Sequence, residues 1–70
     1  MNEIPFVLSG EFIELYKLLK VCSLCETGGA AKHAVLQRLV RVDGQVETRK
    51  GCKIRKGQRV EYNGHVLQVQ

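Results

Sequence analysis

The residues best equipped for chemistry in this sequence are its cations. Arg49, Lys50, Lys53, Arg55 and Lys56 fall within eight residues, and Lys32, Arg38 and Arg41 precede them. Arginine grips a phosphate through two parallel hydrogen bonds and stacks on an unpaired base, whereas lysine supplies a compact charge. Residues 32–59 carry nine Lys and Arg against only Asp43 and Glu47, a local charge of +7. The residues before them carry Lys17 and Lys20 against Glu3, Glu11, Glu14 and Glu26, a local charge of −2. With Glu61 of the tail adding −1, these stretches make up the chain-wide value of +4, with a pI near 9.2. A domain that segregates its charge in this way attracts polyanions, nucleic acid foremost. For any single cation the competing reading is a solvated charge. Arg41 alternates with Val40 and Val42 and should face solvent. Arg59 stands at a strand start and is peripheral. Glu47 is placed to pair with a neighbouring cation and orient it.

A second candidate is the stretch Thr27-Gly28-Gly29. Thr is a helix N-cap, and the first N–H groups of a helix have no partner within it. Those amides and the helix dipole favour an anion. Gly28 and Gly29 leave the amides uncovered, and Lys32 follows about one turn later. The alternative is structural: Thr27 caps, and the glycines permit tight packing. His33, beside Lys32, is either a further contact or an ordinary exposed helix position, and His65 receives no role.

Cys22-Ser-Leu-Cys25 invites a zinc or thiol-redox reading. A structural zinc site needs four ligands, and Cys52, His33 and His65 are scattered without a second close pair. A thiol-redox pair of this spacing belongs in a βαβ context that is missing here. Small buried apolar residues at a turn between helices are the simpler role for Cys22 and Cys25. For catalysis there is neither a paired-carboxylate pattern, nor a base near Ser9 or Ser23, nor a phosphate-binding loop of the Walker type. No cofactor is implied, and no enzymatic activity is expected.

Elements that position these residues can be read from periodicity. Ile4 to Leu8 is apolar but contains Pro5, so it is an edge strand or an extended lead-in. Ser9 and Gly10 precede a helical pattern from Glu11 to about Val21, with Phe12, Leu15, Tyr16 and Leu19 on one stripe. The aromatics of that stripe are expected in the core. A second helix opens at Thr27 and runs to about Arg38, burying Ala31, Ala34, Val35 and Leu39. Val40, Val42 and Val46 then alternate around Asp43-Gly44, a hairpin signal. Residues 47–58 read as a basic loop or irregular arm pinned by Ile54. Arg59–Tyr62 and His65–Val69 form a hairpin around Asn63-Gly64. The expected architecture is α+β in two layers, a helix pair on a small antiparallel sheet of hairpins.

Seventy residues allow one domain with a thin core. The 44% apolar content is too high for a disordered tail, and no apolar run is long enough to span a membrane. The odd number of cysteines and the lack of a leader pattern point to a reducing cytoplasm.

Thr27-Gly-Gly-Ala-Ala-Lys32, then Val35, then Val40-Arg-Val-Asp-Gly44 resembles the RNA-binding domain named after small-ribosomal-subunit protein S-four, whose helix pair is the alpha-L motif. In that pattern Thr27 stands at a Ser, Ala31 at an Ala and Val35 at a buried aliphatic. The run Val46-Glu-Thr-Arg-Lys-Gly-Cys-Lys-Ile54, with Gly57, is similar to the short stand-alone bacterial proteins of the family. The likeness covers residues 11 to about 62, and the ordered set is more specific than any one piece. Four positions depart from the pattern: Gly28 replaces an Arg, Arg38 a Gly, Asp43 an Asn and Gln58 an Asp. The first removes a phosphate contact, and the second adds a charge nearby.

The resemblance implies that Lys32 and the arm converge on one region. It implies a single RNA-binding domain over residues 1–70, non-catalytic and expected to be a monomer. Its contacts with structured RNA, ribosomal or other, would come from Thr27, Gly28, Gly29, Lys32, Arg38, Arg41, Arg49, Lys50, Lys53, Arg55 and Lys56. The alternative partner class is an acidic protein within a nucleic-acid complex.

Overall fold

The computed structural model describes residues 2–70. Seven strands and two helices follow one another as β1 (Asn2–Phe6), β2 (Ile13–Glu14), α1 (Leu15–Val21), α2 (Gly28–Leu36), β3 (Val40–Val42), β4 (Gln45–Val46), β5 (Lys53–Ile54), β6 (Arg59–Tyr62) and β7 (His65–Val69). Five strands form the main sheet in the order β1-β7-β6-β3-β4, and β2 pairs with β5 as a separate two-stranded ladder. The helix pair packs on the inner face of the main sheet. Leu15, Leu18 and Leu19 of α1 and Ala31, Ala34 and Val35 of α2 share one core with Val40, Val60, Leu67 and Val69. Alanine at two of the α2 positions lets the helices approach closely.

Both hairpins form where Asp43-Gly44 and Asn63-Gly64 signal them. All four residues hold positive φ, as a two-residue turn of the right twist requires. Strand alternation then sorts the sheet. Val60 and Tyr62 face the helices while Arg59 and Glu61 face outward, and Val40 and Val42 do the same around Arg41.

Four expectations need correcting. The sheet is mixed rather than wholly antiparallel, because β1 pairs in parallel with β7, Asn2 opposite His65 through Phe6 opposite Val69. β1 is an edge strand, so the missing N–H of Pro5 is tolerated there. Helix α1 begins at Leu15 rather than Glu11, because Ile13 and Glu14 are held extended against Ile54 and Lys53. Gly10, at φ +105°, turns the chain and does not cap a helix. Phe12 is therefore lifted out of the helical stripe and is 40% exposed. Leu39 is 57% exposed rather than buried, and Val46 is also exposed.

Leu39 is turned out by the way α2 stops. The Arg38 N–H donates to the Val35 carbonyl and the Leu39 N–H to the Ala34 carbonyl, and Arg38 takes φ +62°. This is a Schellman termination, whose left-handed position favours glycine. Helix α1 ends identically, with Ser23 at φ +61° and bonds from Ser23 to Lys20 and from Leu24 to Leu19. Neither helix uses glycine at that position. The left-handed residue rotates the chain, so Leu39 leaves the face that Ala31 and Val35 occupy.

Candidate nucleic-acid interface

The basic arm is not loose. At its start the Glu47 N–H donates to the Val40 carbonyl at 3.0 Å. In its middle the Leu15 N–H donates to the Cys52 carbonyl at 2.9 Å and the Tyr16 N–H to the Lys50 carbonyl at 3.2 Å. Those two amides belong to the first turn of α1, where they have no helical acceptor, so the arm satisfies them. Ile54, at 0% exposure, inserts into the core beside them. The far end is tied by Asp43, whose carboxylate accepts from the Arg59 N–H at 3.0 Å and from the Gln58 side-chain amide at 3.2 Å. Asp43 and Gln58 are two of the positions where the chain departs from the family pattern, and here they bond to each other. Relative to that pattern, carboxylate and amide have exchanged places.

Within the arm, Glu47 holds Arg49 by a two-pronged ion pair, with Nε donating at 3.0 Å and Nη2 at 3.1 Å. The Arg49 N–H adds a third bond to the same carboxylate. These bonds from Arg49 pull the Glu47 carboxyl down to about 2. The pairing expected of Glu47 is thus present, and it fixes the direction of one guanidinium. An open depression of about 470 Å³ lies among Arg49, Gly51, Cys52, Lys53 and Arg55. Burial, with the hydrogen bond that the thiol donates to the ionised Glu47, pushes the Cys52 thiol up. Cys22 and Cys25 are pushed up by burial too, the opposite of an activated thiolate. Among the described residues no group of three or more His, Cys, Asp or Glu side chains converges on a point where a metal could sit.

Helix α2 starts as its sequence signals. The Thr27 hydroxyl accepts from the Ala30 N–H at 3.0 Å, and the Thr27 carbonyl accepts from Ala31. Among the described residues the amides of Gly28 and Gly29 have no acceptor. Gly28 lies against the Tyr16 ring: a Cβ added there would stand 3.9 Å from it. The Lys32 ammonium sits 4.7 Å from the centre of the same ring, and that of Lys17, itself bonded to Glu14, at 5.9 Å. Tyr16 therefore gathers the start of α2, the cation one turn into it and, through its own amide, the arm at Lys50.

Phe12 makes a second such centre, with Lys53 at 4.9 Å and Arg55 at 5.7 Å from its ring. Sequence reasoning missed Phe12, Tyr16 and Lys17 as members of this surface. Their local pattern is helical, and the pairing of β2 with β5 that turns Phe12 outward joins residues about forty positions apart.

Two of the predicted cations lie elsewhere. Arg38 stands at the C-terminal end of α2, about 13 Å of helix from Gly28. Arg41 is on the outer face of the sheet, opposite Glu61. Lys56 is exposed in the turn that leads into β6. What the structure assembles is a small two-layer domain with one cationic face, formed by the start of α2, the first turn of α1 and a pinned basic arm.

Comparison with known proteins identifies the family and the fold. The family model described as the S4 domain matches residues 6–70, and the chain belongs to this family. An Escherichia coli K12 protein named "Putative RNA-binding protein YbcJ" is 51% identical over 57 residues, 81% of each chain. Its Shigella flexneri counterpart, named "Uncharacterized protein YbcJ", aligns with the same identity and coverage. A solution structure of Escherichia coli YbcJ, described as revealing an alpha-L motif involved in RNA-binding, superposes with a TM-score of 0.74. It is 46% identical and covers 99% of this chain and 89% of that one. The helix pair α1–α2 on its sheet is the alpha-L arrangement.

Proposed function

We propose that this protein is a non-catalytic RNA-binding protein that engages a folded RNA, ribosomal or other, as a monomer in the cytoplasm. The contacts run through Thr27, Gly28, Gly29 and Lys32 at the start of α2 and through Arg49, Lys50, Lys53, Arg55 and Lys56 of the arm. Arg38, past the far end of α2, and Arg41, on the outer face of the sheet, stand outside this surface. The observation that carries this reading is the gathering at Tyr16, where two open helix amides, Lys32 and the arm meet on one face. The RNA-related names of the relatives support it. Among the described residues no helix is long and apolar enough to cross a membrane.

Phosphate contacts of this kind set register and orientation more than they read sequence. Glu47 keeps Arg49 ready in one direction, which lowers the entropy lost when a phosphate is gripped. If about five phosphates are neutralised on duplex-like RNA, log K falls against log salt with a slope near −4 to −5. A salt titration by filter binding tests this, and a flat response overturns the electrostatic mechanism. The triple variant Arg49→Ala, Lys50→Ala, Lys53→Ala should fold normally and bind weakly, and unchanged affinity removes the arm from the site. Co-purification from cells that resists RNase and recovers an acidic protein instead would favour the protein-docking alternative.

A further inference from the structure

Phe12 is placed where a core-forming residue has no reason to be. The chain has only two Phe residues and a thin core, yet this ring stays outside it. Phe6, by contrast, packs against the core from β1. The cause is the alternation of the β2–β5 ladder. Ile13 opposes Ile54, and both turn inward, so their neighbours Phe12, Lys53 and Arg55 turn outward together. The Lys53 ammonium lies near the Phe12 ring, although its cross-strand partner is Glu14. Glu14 pairs instead with Lys17 at 3.2 Å. All four cation–ring contacts among the described residues fall on Phe12 and Tyr16. Tyr16 is half-buried under Gly28 and Lys32, so Phe12 is the open ring of the two.

An exposed aromatic ring flanked by a lysine and an arginine, on a rigid ladder, has the composition of a platform for an unpaired nucleobase. The ring stacks on the base, and the cations hold the phosphates on either side of it. Arg55 adds a flat guanidinium that stacks on bases itself. Every base has a π face, so such a platform selects for unpairedness rather than for sequence.

We infer that Phe12, with Lys53 and Arg55, is a stacking site for an unpaired base of the bound RNA, so that the protein prefers RNA with a loop or bulge to a continuous duplex. This rests on the RNA-binding reading above and deepens it.

The test uses the full chain and two RNAs of equal length, a hairpin with a uridine loop and a blunt duplex. The wild type should bind the hairpin at least about tenfold more tightly. Phe12→Ala and Phe12→Leu should abolish that preference by weakening the hairpin alone, and Phe12→Trp should keep it. Leu preserves apolar bulk without a π face, so it separates stacking from any packing role should the Ala variant be destabilised. Lys53→Ala with Arg55→Ala should weaken both RNAs and flatten the salt slope. A preference retained in both Phe12→Ala and Phe12→Leu overturns the inference. Equal binding of both RNAs by the wild type, with a steep salt slope, overturns it too and leaves the RNA-binding reading standing. A wild type that binds neither overturns both.

Discussion

The arm and the outer face of the sheet both carry arginine, but they use it differently. On the outer face Arg59 is bonded to Glu3 at 3.2 Å, and Arg41 stands across from Glu61. Each cation there has an acid as its bonded or cross-strand neighbour. Around the arm, Lys32, Lys50, Lys53, Arg55 and Lys56 make no ion pair among the described residues: Glu47 serves to aim Arg49, and Glu14, across from Lys53, is bonded to Lys17. Aromatic rings stand beside Lys32, Lys53 and Arg55. A ring holds a cation in place without neutralising it. A local charge of +7 counts residues, while what a polyanion meets is the part of that charge not already matched by neighbouring acids.

The strongest way to break this contrast is to unpin the arm. Ile54→Ala should cost roughly 2–5 kcal/mol of stability in urea unfolding, because the side chain is fully enclosed and the β2–β5 ladder is short. Next, Lys32→Ala with Lys53→Ala and Arg55→Ala should weaken RNA binding by tenfold or more, and should flatten the salt slope by about 0.9 for each phosphate that is no longer neutralised. Arg41→Ala with Arg59→Ala removes two charges from the outer face of the sheet and should change affinity less than about threefold. Equal effects from the two sets would erase the distinction between the faces.

A smaller effect sharpens the picture at the margin. Arg38→Gly should raise stability by roughly 0.5–1 kcal/mol in thermal melts, because φ +62° at a helix stop is easier for glycine. The same variant deletes a cation far from Tyr16, so its RNA affinity should change little. Smallest is the acid response of Glu47. Its carboxyl is held at about 2 against an ordinary 4.5, so its contribution is complete above pH 4.5 and disappears as pH falls toward 2. Glu47→Gln should lack that part of the acid-induced destabilisation, as read from melts between pH 5 and pH 2.

Local signals were legible and long-range pairings were not. Thr27, Asp43-Gly44 and Asn63-Gly64 each act within three or four residues, so helix α2 and both hairpins could be read directly. Ile54 could be recognised as a pin because it is the one large apolar residue in a basic stretch. The extended start of α1 could not, since Phe12, Leu15, Tyr16 and Leu19 keep helical spacing while Ile13 and Glu14 obey a partner about forty residues away. Of the predicted site, Gly28, Lys32 and the arm are brought to one face, whereas Arg38 and Arg41 are carried to other surfaces by a helix length and by strand alternation. The aromatic half of the surface stayed hidden for the same reason as β2.

The parallel pairing of β1 with β7 has a consequence for how the molecule is made. Asn2 lies beside His65, 63 positions later, and the Gln70 N–H donates to the Phe6 carbonyl while the Leu8 N–H donates to that of Gln70. On a ribosome β1 must wait for its partner until the roughly sixty residues that separate it from β7 have been synthesised. The helix pair and the β3–β4 hairpin close over short separations and can form early, but the sheet edge can only be sealed last. Contacts of such long sequence separation slow folding. The arm and the two aromatic rings, which depend on β2 and β5, can therefore be in place before the edge strand docks.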